Sequence, residues 1–287
     1  MKEIEGFLYL DIDDVAVAWN AYRAVLPSTH HAARGDGQVL SMNIARLFVE
    51  QHAERLQFEL ELEEVRRQRF PDQVSRLTGM FVFDEAESAL AAAAHEGWGG
   101  HVRSANLTDV GIAASATTRV DSNWILWMLD LRSTQARSWR SGIDEYWRGA
   151  RCPHHESPIW ELLVHGLVTI WGTDLRRRAY DLVRNRFPDA TMLLELSRLA
   201  AQFGFNLGHV SARITREPGE PRGLISFQMD MRDASRPEFL SRLYEYTCRP
   251  DAVVNHQDLA MRGGGFRVPD FTSKTYSFDW REASGLD

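Results

Sequence analysis

The sequence predicts a mixed α and β protein of the α+β class, built from two parts. Three observations predict this class: stretches with apolar residues at helical spacing, short apolar runs of strand length, and proline or glycine residues that separate them. The chain has 287 residues, of which 44% are hydrophobic and 25% are charged. These values are typical of a globular protein with a buried core, and the length predicts about two domains at roughly 150 residues each.

The first part, residues 1–172, is predicted to alternate strands and helices. Strands are expected at 6–12, 78–83, 124–131 and 161–171, and helices at 14–26, 41–70, 85–95 and 134–148. Asp13 or Asp14 can cap the first helix, which Pro27 ends. Asp84 can cap the alanine-rich helix that follows the second strand.

One stretch of this part fits both a strand and a helix. From Leu56 to Leu62 every second residue is apolar, which is typical of a half-buried strand. The intervening residues are mostly glutamates, and the chain continues as the charged segment EEVRRQRF to Pro71. We therefore expect a helix that ends before this proline, because the residue before a proline disfavours helical geometry. The apolar run at 124–131, in contrast, is predicted to be the clearest strand of its region.

The second part, residues 173–287, has a different order of elements. Helices are expected at 174–187, 190–203 and 237–247, and strands at 207–215, 224–231, 252–260 and 275–280. The segment REPGEPRG is predicted to be the turn between the first two of these strands. The order of helix, strand, strand, helix and strand resembles the small ACT-type domains, which sense small molecules. This resemblance implies a small α+β sandwich that binds a small-molecule ligand.

Composition and charge argue against several classes of protein. The net charge of −7 disfavours broad, sequence-independent binding to nucleic acid. The longest apolar runs are too short for a bilayer span, which needs about 20 residues, and acidic residues stand where a signal peptide is basic and apolar. Cys152 and Cys248, without a CxxC motif, exclude a disulfide framework. We therefore expect a cytoplasmic protein without a membrane partner.

The sequence contains no recognisable metal or phosphate motif. The adjacent pairs His30-His31 and His154-His155 lack the spacing of metal ligands such as HExxH. The glycine triplet at 263–265 matches neither a Walker motif nor a dinucleotide fingerprint. We therefore expect no metal site.

Two segments carry the strongest functional signal. In the first, at 64–83, a helix ends at a proline, a short loop presents Ser75 and Arg76, and a strand begins. In the second, at 143–171, a helix ends in the sequence YWRG, a loop follows, and a strand opens with WELL. Together the two segments resemble an uncharacterised bacterial family whose fold is related to the ADP-ribosyltransferases, over roughly residues 60–172.

This resemblance implies a split-sheet first domain that binds NAD in a cleft and transfers ADP-ribose to a macromolecular acceptor. Bacterial proteins of this type commonly act as toxins, effectors or phage-defence factors. Glu161 matches the carboxylate that stabilises the departing ribosyl cation. Arg76 matches a residue that holds the pyrophosphate, and Ser75 one that fixes the nicotinamide ribose or amide. Tyr146 and Trp147 would form a wall of the cleft.

The first strand, GFLYLDI, departs from the family pattern, because it lacks the Arg or His that holds the adenosine side of NAD. Tyr9 is the only polar aromatic residue on this strand, and we include it among the candidate cofactor-binding residues. Two functions therefore stay open: an NAD-dependent transferase, and a non-enzymatic ADP-ribosyltransferase-like protein that binds a partner or ligand. Structural roles also stay open, for Glu161 at a strand end and for Arg76 as the partner of Asp72 or Glu64.

Overall fold

The computed structural model confirms the α+β class, with helices packed on antiparallel sheets. It describes residues 2–28, 38–49, 53–95, 102–134, 137–216, 222–255, 259, 267–271 and 276–279. Several predicted features lie outside the described residues: most of the REPGEPRG turn, the His30-His31 pair and the glycine triplet at 263–265.

The described residues form strands and helices that we number in chain order. The strands are β1 (Lys2–Tyr9), β2 (Val25–Pro27), β3 (Gln38–Leu40), β4 (Met80–Val82), β5 (Leu107–Asp121), β6 (Trp160–Ile170), β7 (Val210–Arg216), β8 (Arg222–Met229) and β9 (Tyr276–Asp279). The helices are α1 (Val15–Arg23), α2 (Met42–Val49), α3 (Ala53–Arg69), α4 (Ala86–Ala94), α5 (Asn123–Ser133), α6 (Ser141–Trp147), α7 (Thr173–Arg186), α8 (Thr191–Gln202) and α9 (Pro237–Thr247).

The first sheet curls back on itself. Its strands follow the order β1-β5-β6-β2, and β4 pairs with the first half of β6. The chain just after β4 then returns to β1. There the N–H of Phe7 donates to the carbonyl of Phe83 at 2.7 Å, and the N–H of Phe83 donates to that of Phe7 at 2.8 Å. These bonds close β1, β5, β6 and β4 into a small ring of strands.

The second sheet combines both parts of the chain. Its order is β3-β7-β8-β9, so a strand from the first part pairs with three from the second. Helix α1 packs against α7 and α8, and its buried side chains bond across the same junction. The indole Nε1 of Trp19 donates to the carbonyl of Gly208 at 2.8 Å, and the amide of Asn20 donates to that of Val210 at 2.7 Å. The predicted units 1–172 and 173–287 thus share a sheet and a core.

Several predicted elements are confirmed by the structure. Asp14 caps α1, since its carboxylate accepts from the N–H groups of Ala16 and Val17 at 2.8 and 3.3 Å. The ambiguous stretch Leu56 to Leu62 lies within α3 and is helical, as expected. The expected strands at 78–83, 161–171 and 275–280 correspond to β4, β6 and β9.

The predicted strand at 124–131 is wrong, because these residues belong to helix α5. The strand of this region is β5, which comes earlier and ends at Asp121. The carboxylate of Asp121 accepts from the N–H of Asn123 at 3.1 Å, which turns the chain from strand into helix. An apolar run of this length has no clear period, so its side chains fit a buried helix as well as a buried strand.

Four smaller predictions also need correction. The expected helix at 41–70 consists of α2 and α3, and the one at 134–148 has a 3₁₀ turn (Arg137–Arg140) before α6. Asp84 does not cap α4, whose first flanking residue is Glu85, without a side-chain cap. Where the expected strand at 252–260 is described, residues 253 and 254 form a bend and residue 259 is helical. The strand that completes the second sheet is therefore β3, from the first part.

Candidate functional site

A cavity of about 450 Å³ lies where the two sheets and four helices meet. Strands β1, β2, β3, β4, β6 and β7 and helices α1, α2, α3 and α5 all contribute to its wall. Most lining residues are apolar, among them Leu8, Leu26, Val39, Met80, Phe81 and Leu126. Volumes of about 300–1,000 Å³ with a mainly apolar wall are typical of sites for small organic molecules.

Three of the six residues singled out in the sequence line this cavity, namely Tyr9, Arg76 and Glu161. Arg76 stands in the loop before β4, and Glu161 is the second residue of β6. The pairing of β4 with β6 brings these two elements together, although 85 residues separate the two side chains along the chain. The fold therefore places the two motifs beside each other, on the wall of one cavity.

Arg76 is the centre of a polar cluster that is buried except for the partly exposed Arg55. We define this buried polar cluster as Arg55, Glu59, Arg76, Tyr146 and Glu161. The guanidinium of Arg76 donates two hydrogen bonds to the carboxylate of Glu59, from Nε to Oε2 at 2.7 Å and from Nη2 to Oε1 at 3.0 Å. Its Nη1 donates to the hydroxyl of Tyr146 at 2.7 Å and to Oε2 of Glu161 at 3.4 Å. Arg55 donates to Oε1 of Glu59 at 3.0 Å. Each charge of the cluster thus has an opposite charge within reach.

Burial and pairing set the acid–base properties of the cluster. Burial raises the pKa of the Glu161 carboxyl, and Arg76 and Ser122 only partly oppose this effect. Burial also disfavours the charged form of Glu59, but the guanidiniums of Arg76 and Arg55 outweigh it and hold the pKa of Glu59 below its usual range. For Arg76, burial is outweighed by Glu59, so its pKa lies well above the usual value. Glu59 and Arg76 are therefore a fixed ion pair, whereas burial disfavours the charged forms of Glu161 and Arg55.

Among the described residues, the hydrogen bonds to Glu161 use only one of its two carboxylate oxygens. The residue is 3% exposed. Among the described residues, its donors are Arg76 and Ser122, at 3.4 and 2.8 Å, and both bonds end on Oε2. Glu161 also lines the cavity, so Oε1 is the carboxylate oxygen that is left to accept from a bound molecule.

Ser75 has a structural partner away from the cavity. Its hydroxyl donates to Oε2 of Glu63 at 2.8 Å and accepts from the N–H of Leu77 at 3.1 Å. Glu63 is in turn held by two bonds from Arg66, at 2.9 and 3.0 Å. These contacts anchor the loop that presents Arg76, so Ser75 acts on the site through the backbone.

The aromatic candidates also have structural partners. Trp147 is fully buried, and its indole Nε1 donates to the carbonyl of Leu62 at 3.1 Å. Tyr146 is fully buried as well, and it is not among the residues that line the cavity, although its hydroxyl accepts from Arg76. Tyr9 lines the cavity, but its hydroxyl donates to the carbonyl of Ala89 at 2.9 Å.

Sequence reasoning missed Arg55, Glu59, Ser122 and His209. Arg55 and Glu59 are four residues apart on α3 and form an i,i+4 pair, a spacing that the sequence does display. This pair is hard to single out because Glu59 stands in the charged run ELELEE, whose other glutamates are typical of a solvent-exposed helix face.

His209 lines the cavity from the position just before β7. Burial lowers its pKa to about 3, so its imidazole is neutral near pH 7.

The chain matches no known protein family and no curated protein. Among the described residues, no group of three or more His, Cys, Asp or Glu side chains is placed to hold a metal ion. Within the same residues, no helix has the length and apolar character that crossing a membrane requires.

Proposed function

We propose that this protein is a binding protein for a small, mainly apolar molecule, which occupies the cavity beside Arg76 and Glu161. The observation that carries the proposal is the cavity itself: about 450 Å³, lined mainly by apolar side chains, with a buried polar cluster at one place in its wall. An apolar wall favours an apolar ligand at roughly 25 cal/mol for each Å² removed from water. The polar cluster supplies the few directional contacts that orient such a ligand.

Nile red, an uncharged dye that fluoresces strongly in apolar surroundings, tests this proposal. We expect saturable binding with one dye molecule per chain. Leu126→Trp, on the part of α5 that lines the cavity, should weaken binding about tenfold or more by filling the space that the dye needs. Leu129→Trp is the matched control, because Leu129 is on the same helix, is also partly buried, and packs against the core instead. Equal affinities of the two variants would reject the cavity as the binding site.

A second candidate is the NAD-dependent transfer of ADP-ribose to a macromolecular acceptor. The observation that favours it is that Arg76 and Glu161, the two lining residues that the family resemblance implies, line one cavity with Tyr9, Arg46 and Arg55. In this reaction the bond between the ribose and nicotinamide breaks, and nicotinamide leaves with the bonding electrons. The acceptor then forms the new bond and loses a proton. Glu161 would stabilise the cation that develops on the ribose.

Release of nicotinamide from NAD, with a cell lysate as the source of acceptor, tests this second candidate. Glu161→Gln should abolish release and leave the NAD-induced rise in melting temperature almost unchanged, because the charge acts mainly in the transition state. Glu156→Gln is the control, since Glu156 is an exposed loop residue. Equal release by the wild type and Glu161→Gln would reject Glu161 as the catalytic residue, and no NAD-induced shift in the wild type would reject the transferase.

A further inference from the structure

The head group of the ligand can be inferred from the carboxylate of Glu161. The residue is 3% exposed and lines the cavity, and its described donors, Arg76 and Ser122, both bond to Oε2. A carboxylate oxygen is an acceptor only, so the ligand atom that meets Oε1 must carry a hydrogen. This requirement favours a ligand that carries a donor, and the Nε of Arg55, a buried donor of the same wall without a partner among the described residues, favours one that also offers an acceptor, as a hydroxyl does.

The charges around the cavity already balance. In the buried cluster, the cations Arg55 and Arg76 face the anions Glu59 and Glu161. Two further charged residues of the wall, Asp11 and Arg46, are of opposite sign and are partly exposed to solvent. His209 is neutral near pH 7 because burial lowers its pKa to about 3. A charged head group would therefore bring an uncompensated charge into a poorly solvated site.

We infer that the cavity takes an uncharged lipophilic alcohol or phenol, whose hydroxyl donates to Oε1 of Glu161 while its apolar body fills the rest of the cavity. This inference rests on the proposed binding function and adds the chemical class of the ligand. An ammonium head would meet Glu161 but would also lie close to the guanidinium of Arg76. A carboxylate head would be repelled by Glu161. An ether of the same length would lack the hydrogen that Oε1 accepts.

Four probes with alkyl chains of nine or ten carbons separate these head groups by displacement of Nile red: decanol, decyl methyl ether, decylamine and decanoate. We expect decanol to bind about tenfold or more tightly than the ether, which is the contribution of one hydrogen bond to a charged acceptor. We expect decylamine and decanoate to bind more weakly than decanol.

Glu161→Gln assigns this preference to one residue. Glutamine keeps the size of the side chain and removes the charge, so the advantage of decanol over the ether should fall, and decanoate should gain affinity because Arg76 loses one of its anions. Glu195→Gln is the matched control. Glu195 is also buried, but it bonds to Tyr22 and Arg198 and is not among the residues that line the cavity. This variant should keep the wild-type order of the four probes.

The outcomes distinguish a failure of the head-group inference from a failure of the proposed binding function. A preference for decanol that Glu161→Gln reduces and Glu195→Gln retains supports the inference. Dye binding with equal affinities for alcohol and ether, or with decylamine or decanoate as the tightest probe, overturns the inference and leaves the binding function standing. If neither Nile red nor any of the four probes binds the wild type, the proposed function fails and the inference fails with it. Should Glu161→Gln not fold, the order of the probes on the wild type decides alone.

Discussion

At the scale of single residues, Arg76 is the side chain whose positive charge compensates two buried carboxylates. It bonds to Glu59 at 2.7 Å and to Glu161 at 3.4 Å, and all three residues are less than 5% exposed. Removal of one partner from a buried ion pair leaves an uncompensated charge, so Arg76→Met should lower the free energy of unfolding by about 3–5 kcal/mol in urea titrations. Arg69→Met is the control, because Arg69 pairs with Asp144 at the exposed surface, and it should lose less than about 1 kcal/mol. Equally small losses would contradict the role given to Arg76.

His209 provides a prediction of pH dependence. Its pKa falls from 6.5 to about 3 on folding, first because of burial and then because of Arg23 and Arg213, with Asp230 opposing. The unfolded chain therefore binds the proton first, so this contribution to stability is present above pH 6.5 and is lost as the pH falls toward 3. Between pH 8 and pH 5 the wild type should lose about 2 kcal/mol more than His209→Gln, by urea titration at each pH. Parallel pH profiles would mean that His209 takes a proton in the folded protein.

The residues of the site differ in how far the sequence reveals them. Arg76 and Glu161 stand at recognisable boundaries of elements, Arg76 in a loop after a proline and Glu161 at the start of a strand. The structure places both on one cavity wall. Glu59 could not be singled out, because its burial depends on Arg76, which reaches it from 17 residues further along the chain. The role of Ser75 depends in the same way on Glu63, which faces it only in the folded protein.

At the scale of elements, the sequence predicts periodic segments best and apolar runs worst. The amphipathic helices α7, α8 and α9 lie within a few residues of their predicted bounds. Helix α5 does not, because its run of tryptophans, leucines and a methionine has apolar side chains on every face. The short strand β3 was not predicted either, since three residues gain strand geometry only by pairing with β7, which lies far away in the sequence.

The junction of β5 and β6 depends on a glycine. The pairing of these strands shifts register between Ala114 and Ala116, and Gly166 of β6 lies opposite this bulge. A Cβ on Gly166 would come within 2.2 Å of the carbonyl oxygen of Ala113, and this backbone atom cannot move aside without disturbing the pairing. Gly166→Ala should therefore lower the free energy of unfolding by more than about 2 kcal/mol.

Gly204 offers the comparison for this prediction. It has a φ of 81°, but a Cβ there would meet no atom within 4 Å. Gly204→Ala therefore introduces backbone strain alone, which costs about 1 kcal/mol. Urea titrations of the two variants should show a clearly larger loss for Gly166→Ala. A smaller loss there than in Gly204→Ala would contradict the close approach of the two strands.

At the scale of the whole molecule, the shared core predicts how the two parts of the chain behave when they are separated. Without residues 173–287, β3 has no partner strand, and the buried Trp19 and Asn20 lose the carbonyls of Gly208 and Val210. A fragment of residues 1–172 should therefore lack a cooperative unfolding transition by circular dichroism. Addition of the fragment 173–287 should restore the transition. Cooperative unfolding of the first fragment alone would show that the shared contacts are not needed for its fold.

Diffraction from crystals grown with a decanol that carries bromine at the end opposite the hydroxyl shows whether the cavity binds an apolar molecule whose head group meets Glu161, since bromine can be located by its anomalous scattering. We expect bromine within the cavity, among apolar residues such as Met80 and Leu126. The hydroxyl should lie within hydrogen-bond distance of Oε1 of Glu161. Bromine located only outside the cavity, or a cavity without the alcohol at a concentration that saturates the protein in solution, would show that the cavity is not the binding site.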